Sequence, residues 1–151
     1  MREIASLAEL KTLIGSEVAV SDWVDISQQR VNTFADATGD HQWIHVDVER
    51  CRRESPFGAP VAHGYLTLSL LPAMLENALL MVDVKMGLNY GLNKLRFPAP
   101  VPVGSRLRAR LTLEAVEDIA GGAQMQWGVL IECDGSAKPA CVAEVLLRRY
   151  P

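Results

Sequence analysis

Asp40 and His45 stand five residues apart, just after Gly39, in the run Phe34-Ala-Asp-Ala-Thr-Gly-Asp-His-Gln-Trp-Ile-His-Val-Asp47. A carboxylate and an imidazole at that spacing can grip one water between them and take a proton from it. Farther along, Val61-Ala-His-Gly-Tyr65 sets a His-Gly step at the mouth of a long apolar segment. If a helix begins at Gly64, its free backbone N–H can hold a carbonyl oxygen while negative charge builds there. A water-gripping pair and a carbonyl-polarising N–H are the parts needed to add water to a carbonyl-activated double bond, or to remove it.

The elements that must position these groups read as follows. Ser6 to Gly15 has a Ser cap, Glu9 three residues later and a terminal Gly, the signature of a short helix. Glu17 to Ile26 suits a strand or an extended entry. Ser27 offers an N-cap for a helix over Gln28 to Thr38, with Val31, Phe34 and Ala35 on one face. Gly39 ends that helix, which predicts Asp40 to His45 on the loop beyond it. Trp43 and Ile44 should pack that loop against the protein and give the carboxylate partly apolar surroundings, which raise its basicity. Asp47 can cap one or two helical turns ending near Glu54, where a Pro/Gly-rich loop begins.

From Gly64 to Met81 apolar residues recur at helical spacing on nearly every face, which predicts one buried helix of eighteen residues, about 27 Å long. Pro72, Glu76 and Asn77 interrupt the run, so a buried helix is a better reading than a membrane span. The period then falls to two. A long strand is expected over Val82 to Phe97, broken near Gly87 or Gly91, followed by a Pro-rich rim turn to Gly104. Ser105 to Val116 alternates with Leu107, Ala109, Leu111 and Leu113 inward and Arg106, Arg108 and Arg110 outward. Met125 to Ile131 and Cys141 to Leu147 supply two further alternating strands, joined through Asp134-Gly135. One helix followed by consecutive antiparallel strands is the layout of an α+β domain in which a sheet wraps a helix. With 151 residues the chain fits a single domain, 1–151.

Composition narrows the function. Apolar residues make up 49% and charged residues 22%, as in ordinary globular proteins. A net charge of −3 with dispersed basic residues argues against a nucleic-acid partner. Three cysteines, Cys51, Cys133 and Cys141, lack CxxC spacing, so neither a disulfide framework nor a zinc site is expected. Reduced thiols and the absence of a signal-peptide pattern in Met1 to Gly15 point to the cytoplasm.

The run Phe34 to Asp47, followed by Phe57-Gly58, Val61-Ala-His63-Gly64 and Leu68-Ser-Leu70, resembles the MaoC-like dehydratases, and among them the nodulation-protein-N-like branch. Asn89-Tyr-Gly91 and Arg96 to Gly104 are similar to that family's second half. The resemblance implies the hot-dog fold and (R)-specific hydration of trans-2-enoyl thioesters, or the reverse dehydration of 3-hydroxyacyl thioesters. It places the catalytic Asp on Asp40, the catalytic His on His45 and the oxyanion N–H on Gly64. Where many relatives have Asn-Pro, this chain has Gln42-Trp43, which bears on substrate preference. A polar position late in the helix of some relatives is Pro72 here and carries no role.

The residues themselves give a consistent mechanism that needs neither a metal nor a redox cofactor. Asp40 and His45 hold a water that attacks the β-carbon, while Gly64 N–H stabilises charge on the thioester oxygen. The partner is an acyl thioester of coenzyme A or of acyl carrier protein. His63 is expected to support its own turn, Asp47 to act as a cap and His41 to be exposed. Lys94 and Arg96 suit either a phosphate-bearing arm or a solvated strand.

Two other functions fit the same layout. A thioesterase would want an acid on the central helix, where Glu76 is the one available, roughly three turns beyond Gly64. A non-catalytic acyl-binding subunit would not need the Asp40/His45 pair. A helix wrapped by one sheet leaves an edge and a helix face uncovered, so a homodimer with a continuous sheet is expected.

Overall fold

A computed structural model describes residues 1–151. Its frame is an antiparallel sheet in the order β2–β6–β7–β8–β5, formed by Glu17–Val20, Arg106–Ile119, Gly122–Cys133, Cys141–Tyr150 and Met86–Arg96. Strand β3, Val24–Asp25, also pairs with β6. The predicted alternation sets the face: Leu107, Ala109, Leu111 and Leu113 of β6 are all fully buried. On the outer face their neighbours pair with acids, Arg106 with Asp134, Arg108 with Glu132 and Arg110 with Glu17. Met125, Trp127, Val129 and Ile131 of β7 and Cys141, Ala143 and Val145 of β8 complete the concave apolar surface.

The segment expected as one extended entry over Glu17 to Ile26 is two strands, because Ser21 interrupts the ladder. Its hydroxyl accepts from Ala109 N–H at 2.8 Å and donates to the Asp22 carbonyl. The long strand begins at Met86 rather than Val82, and its register with β8 shifts between Asn89 and Gly91.

The central helix departs from the sequence expectation. It is not eighteen continuous residues but two helices, α5 over Gly64–Ser69 and α6 over Leu71–Ala78, with the break at Leu70. Pro72 is the cause: it has no N–H to return to the preceding turn, and its ring crowds the carbonyl four residues back. At the start of α6 that same proline costs nothing. The last residues, Leu79–Met81, leave the helix as strand β4, which pairs in parallel with β1, Arg2–Ile4. Leu66, Leu70, Leu71, Met74 and Ala78 are buried against the sheet. No helix is long and apolar enough to cross a membrane.

Between β3 and α5 lie the elements that carry the acid and the imidazole. After α1, Leu7–Lys11, which Ser6 caps as predicted, they are α2, Gln28–Thr38, α3, Trp43–Val46, and α4, Val48–Glu54. The predicted caps form. Ser27 accepts from Arg30 N–H, Asp47 accepts from Arg50 N–H, and Gly39 closes α2 at φ +78, where a side chain would be strained.

Candidate active site

His45 does not lie on a loop, as expected from the sequence, but on the single turn of α3. That turn is anchored from α2, where the Gln28 side-chain amide donates to the His45 carbonyl at 2.8 Å. The imidazole is 7% exposed. Its Nδ1 lies 2.6 Å from the Val61 carbonyl, and a carbonyl can only accept, so Nδ1 carries the hydrogen. The tautomer is thereby set, and Nε2 is left with its lone pair free. Burial lowers the His45 pKa below its usual value, with the charge of His63 adding to the effect against the Val61 bond and Asp40. The ring is therefore a neutral base near neutral pH.

Asp40 follows Gly39 and is exposed in the single chain, not held in the partly apolar surroundings expected from Trp43 and Ile44. Its carboxylate accepts from Gln42 N–H at 3.3 Å, which turns the chain into α3. The site contains one more residue than sequence reasoning gave it. His63 is 2% exposed and donates from Nε2 to the Asp40 backbone carbonyl at 2.9 Å. It thus braces Asp40 from 23 residues away rather than its own turn. Its ring stacks on His45 at 3.8 Å between centroids and 25° between planes, and the Phe34 ring lies tilted against it at 4.8 Å. The His-Gly step was visible in the sequence, but no local spacing links His63 to Asp40.

One donor atom each of Asp40, His45 and His63 lie within 4.8 Å of one another. The buried His63 Nδ1 has no partner in the protein.

Gly64 opens α5 behind His63, whose side chain makes no capping bond, so the first N–H groups of the helix are free of side-chain partners. A Cβ on Gly64 would meet the Phe97 ring at 2.8 Å. Phe97, just past β5, therefore lies over Gly64 and forms a wall with Ala62, Thr67 and Pro98 of a cavity of about 270 Å³. Tyr65 is 67% exposed and meets Phe97 edge-on at 6.0 Å. Glu76 lies on α6 in a different cavity, with Leu79 and Met81. His41 is exposed and paired with Asp36 at 2.9 Å, which raises its pKa. Lys94 pairs with Glu144 at 3.4 Å, and Arg96 donates to the carbonyl of Leu95. All three cysteines are buried and free, and Cys141 pairs in register with Ile131, not with Cys133.

Known proteins share both the chain and the fold. It is 54% identical over 149 residues, 98% of each chain, to the 3-hydroxyacyl-thioester dehydratase Z of Mycobacterium tuberculosis. It is 44% identical to nodulation protein N of Rhizobium leguminosarum, over 91% of this chain and 87% of that one. Among solved structures, the (R)-hydratase from A. caviae involved in PHA biosynthesis superimposes with a TM-score of 0.68 at 22% identity, covering 91% of this chain and 98% of that one. A monoamine oxidase regulatory protein of Archaeoglobus reaches 0.80 at 20% identity over 99% and 97%. Residues 9–132 match the family described as MaoC like domain, and with that match and these relatives the chain belongs to the MaoC-like family.

Proposed function

We propose that the protein is a hydro-lyase that hydrates trans-2-enoyl thioesters to (R)-3-hydroxyacyl thioesters, or runs the reverse dehydration. The observation that carries this reading is the Val61 bond to His45 Nδ1, which leaves Nε2 unprotonated in a ring that has a nitrogen within 4.8 Å of an Asp40 carboxylate oxygen. A water between the two gives one hydrogen bond to each. As its oxygen attacks the β-carbon, one proton passes to the pair and returns to the α-carbon on the same face. Gly64 N–H holds the thioester oxygen while the enolate charge develops. Every atom of water ends in the product, and no electron is left over. Both the (R) configuration and the thioester substrate are drawn from the relatives, one of which is named for dehydrating 3-hydroxyacyl thioesters and another as an (R)-hydratase.

A homodimer is part of the proposal. Strand β5 is the edge of the sheet, eleven residues long, and its Leu88, Tyr90 and Leu92 are 45%, 55% and 42% exposed. Long edges with apolar side chains do not stay uncovered in soluble proteins. A second copy pairing there would extend the sheet.

The pure protein incubated with crotonyl-CoA separates the readings. A hydratase consumes the enoyl absorbance, a thioesterase releases free thiol, and a binding subunit does neither. Thiol release without loss of the double bond would overturn the proposal.

A further inference from the structure

Three hydrogen bonds tie the turn that carries Asp40 and His45 to one short stretch of chain, Val61 to His63. Val61 N–H donates to the Ile44 carbonyl at 3.0 Å, His45 Nδ1–H to the Val61 carbonyl at 2.6 Å, and His63 Nε2–H to the Asp40 carbonyl at 2.9 Å. The stretch is itself fixed to the rim of the sheet. Ala62 N–H donates to the Val101 carbonyl at 2.8 Å, and Val61 bridges to Pro102. Within this clamp, His63 alone meets all three parts of the proposed chemistry. Its ring N–H holds the backbone of the acid, its ring face covers the base, and its peptide bond to the next residue supplies the Gly64 N–H. The carbonyl of that planar peptide accepts from Thr67 N–H at 3.2 Å, which sets the direction of the Gly64 N–H.

Asp40 is exposed, and within its own turn its carboxylate has one long bond, 3.3 Å from Gln42 N–H. The His63 bond is the one that joins Asp40 to a distant part of the fold. A carbonyl only accepts, so Nε2 carries the hydrogen and Nδ1 is a bare acceptor. That Nδ1 is buried without a donor. An unpaired buried polar atom costs stability, so an apolar ring would serve packing at least as well. A histidine at this position is explained by its other nitrogen. Burial is also the main reason that His45 stays neutral, and the charged groups acting on it are His63, which adds to the effect, and Asp40, which opposes it. The stacked His63 ring is one of the walls that bury it.

We propose that His63 is a positioning residue with two separable tasks: its Nε2–H fixes the acid through the Asp40 carbonyl, and its ring face shields the His45 imidazole from water. The inference deepens the hydratase reading and rests on it.

Two variants separate the tasks, each read in crotonyl-CoA hydration across pH. His63→Phe keeps a ring on His45 and removes the N–H. It should lower kcat about ten- to a hundredfold, the scale of a misplacement near about 1 Å, with little change in KM. Its melting temperature should not fall, since the unpaired Nδ1 goes too, and its loss of kcat/KM in acid should begin where the wild type's does. His63→Gln carries an amide N–H at the reach of histidine Nε2 and removes the ring. It should keep most of kcat, while the loss in acid begins at higher pH, because a less buried imidazole protonates more readily. An NMR titration of His45 in both proteins reads the same displacement without turnover. His63→Phe turnover within about twofold of wild type overturns the proposal, as does an equal loss of kcat in the two variants. So does a His45 titration that His63→Gln leaves in place. A clear drop in the melting temperature of His63→Phe would assign the ring to the fold instead. If that variant does not fold at all, His63→Leu removes the same N–H, and a second failure to fold overturns the proposal on the same ground. A wild-type protein that leaves crotonyl-CoA untouched would overturn the hydratase reading, and this proposal with it.

Discussion

His45 gets its protonation state from its surroundings. Burial lowers its pKa below the usual histidine value, against the Val61 bond that raises it, so the ring stays neutral with Nδ1–H committed to Val61. Two consequences follow. In hydration, kcat/KM should fall with pH only once the pH drops through that lowered pKa, leaving activity intact at a pH where a surface histidine is already half protonated. For stability, the unfolded chain binds a proton that the folded His45 refuses. Stability from this group is therefore present above about pH 6.5 and is lost as pH falls toward the folded pKa. Denaturant melts of wild type and His45→Gln across that window check the sign. A wild-type stability no more sensitive to acid than the variant's would contradict the buried neutral imidazole.

Among elements, the start of α5 and the end of β5 act as one device, since Phe97 rests where a side chain on Gly64 would project. Gly64→Val should push both the Phe97 ring and the thioester carbonyl away while Asp40 and His45 stay in place. Hydration is expected to fall about a hundred- to a thousandfold, the cost of losing an oxyanion donor. Stability must be read alongside, because a β-branched residue also weakens the helix start slightly. A folded Gly64→Val protein with a near wild-type rate would place the oxyanion site elsewhere. At this scale the sequence carried much of the answer. Ser27, Gly39 and Asp47 announced their caps, and period two gave β6 to β8, because these signals are local in the chain. The two-piece helix is half legible: Pro72 interrupts the run, yet the apolar residues on both sides of it keep one helical period and hide the break. The brace from His63 to Asp40 and the pairing of buried Arg149 with half-buried Asp83 were not legible, since each joins residues that only the folded chain brings together.

For the whole molecule, the wrapped helix and the alternation of the strands were readable from periodicity, whereas the strand order and the exposure of β5 depend on long-range pairing. That exposure argues for two copies. Equilibrium sedimentation should give twice the 16.6 kDa chain mass, and a charge placed on β5, as in Leu92→Glu, should shift the protein toward the single chain. A wild-type mass of one chain at micromolar concentration would contradict the continuous sheet.

The most direct test of the account is a double-mutant cycle at Asp40 and His45, read in crotonyl-CoA hydration. Asp40→Asn and His45→Ala should each lower kcat by about a hundredfold or more, with folding preserved. The double variant should be barely worse than either single, because both residues act on one water. Asp40→Asn activity within about threefold of wild type, or losses that simply multiply, would mean that the two residues do not form the catalytic pair.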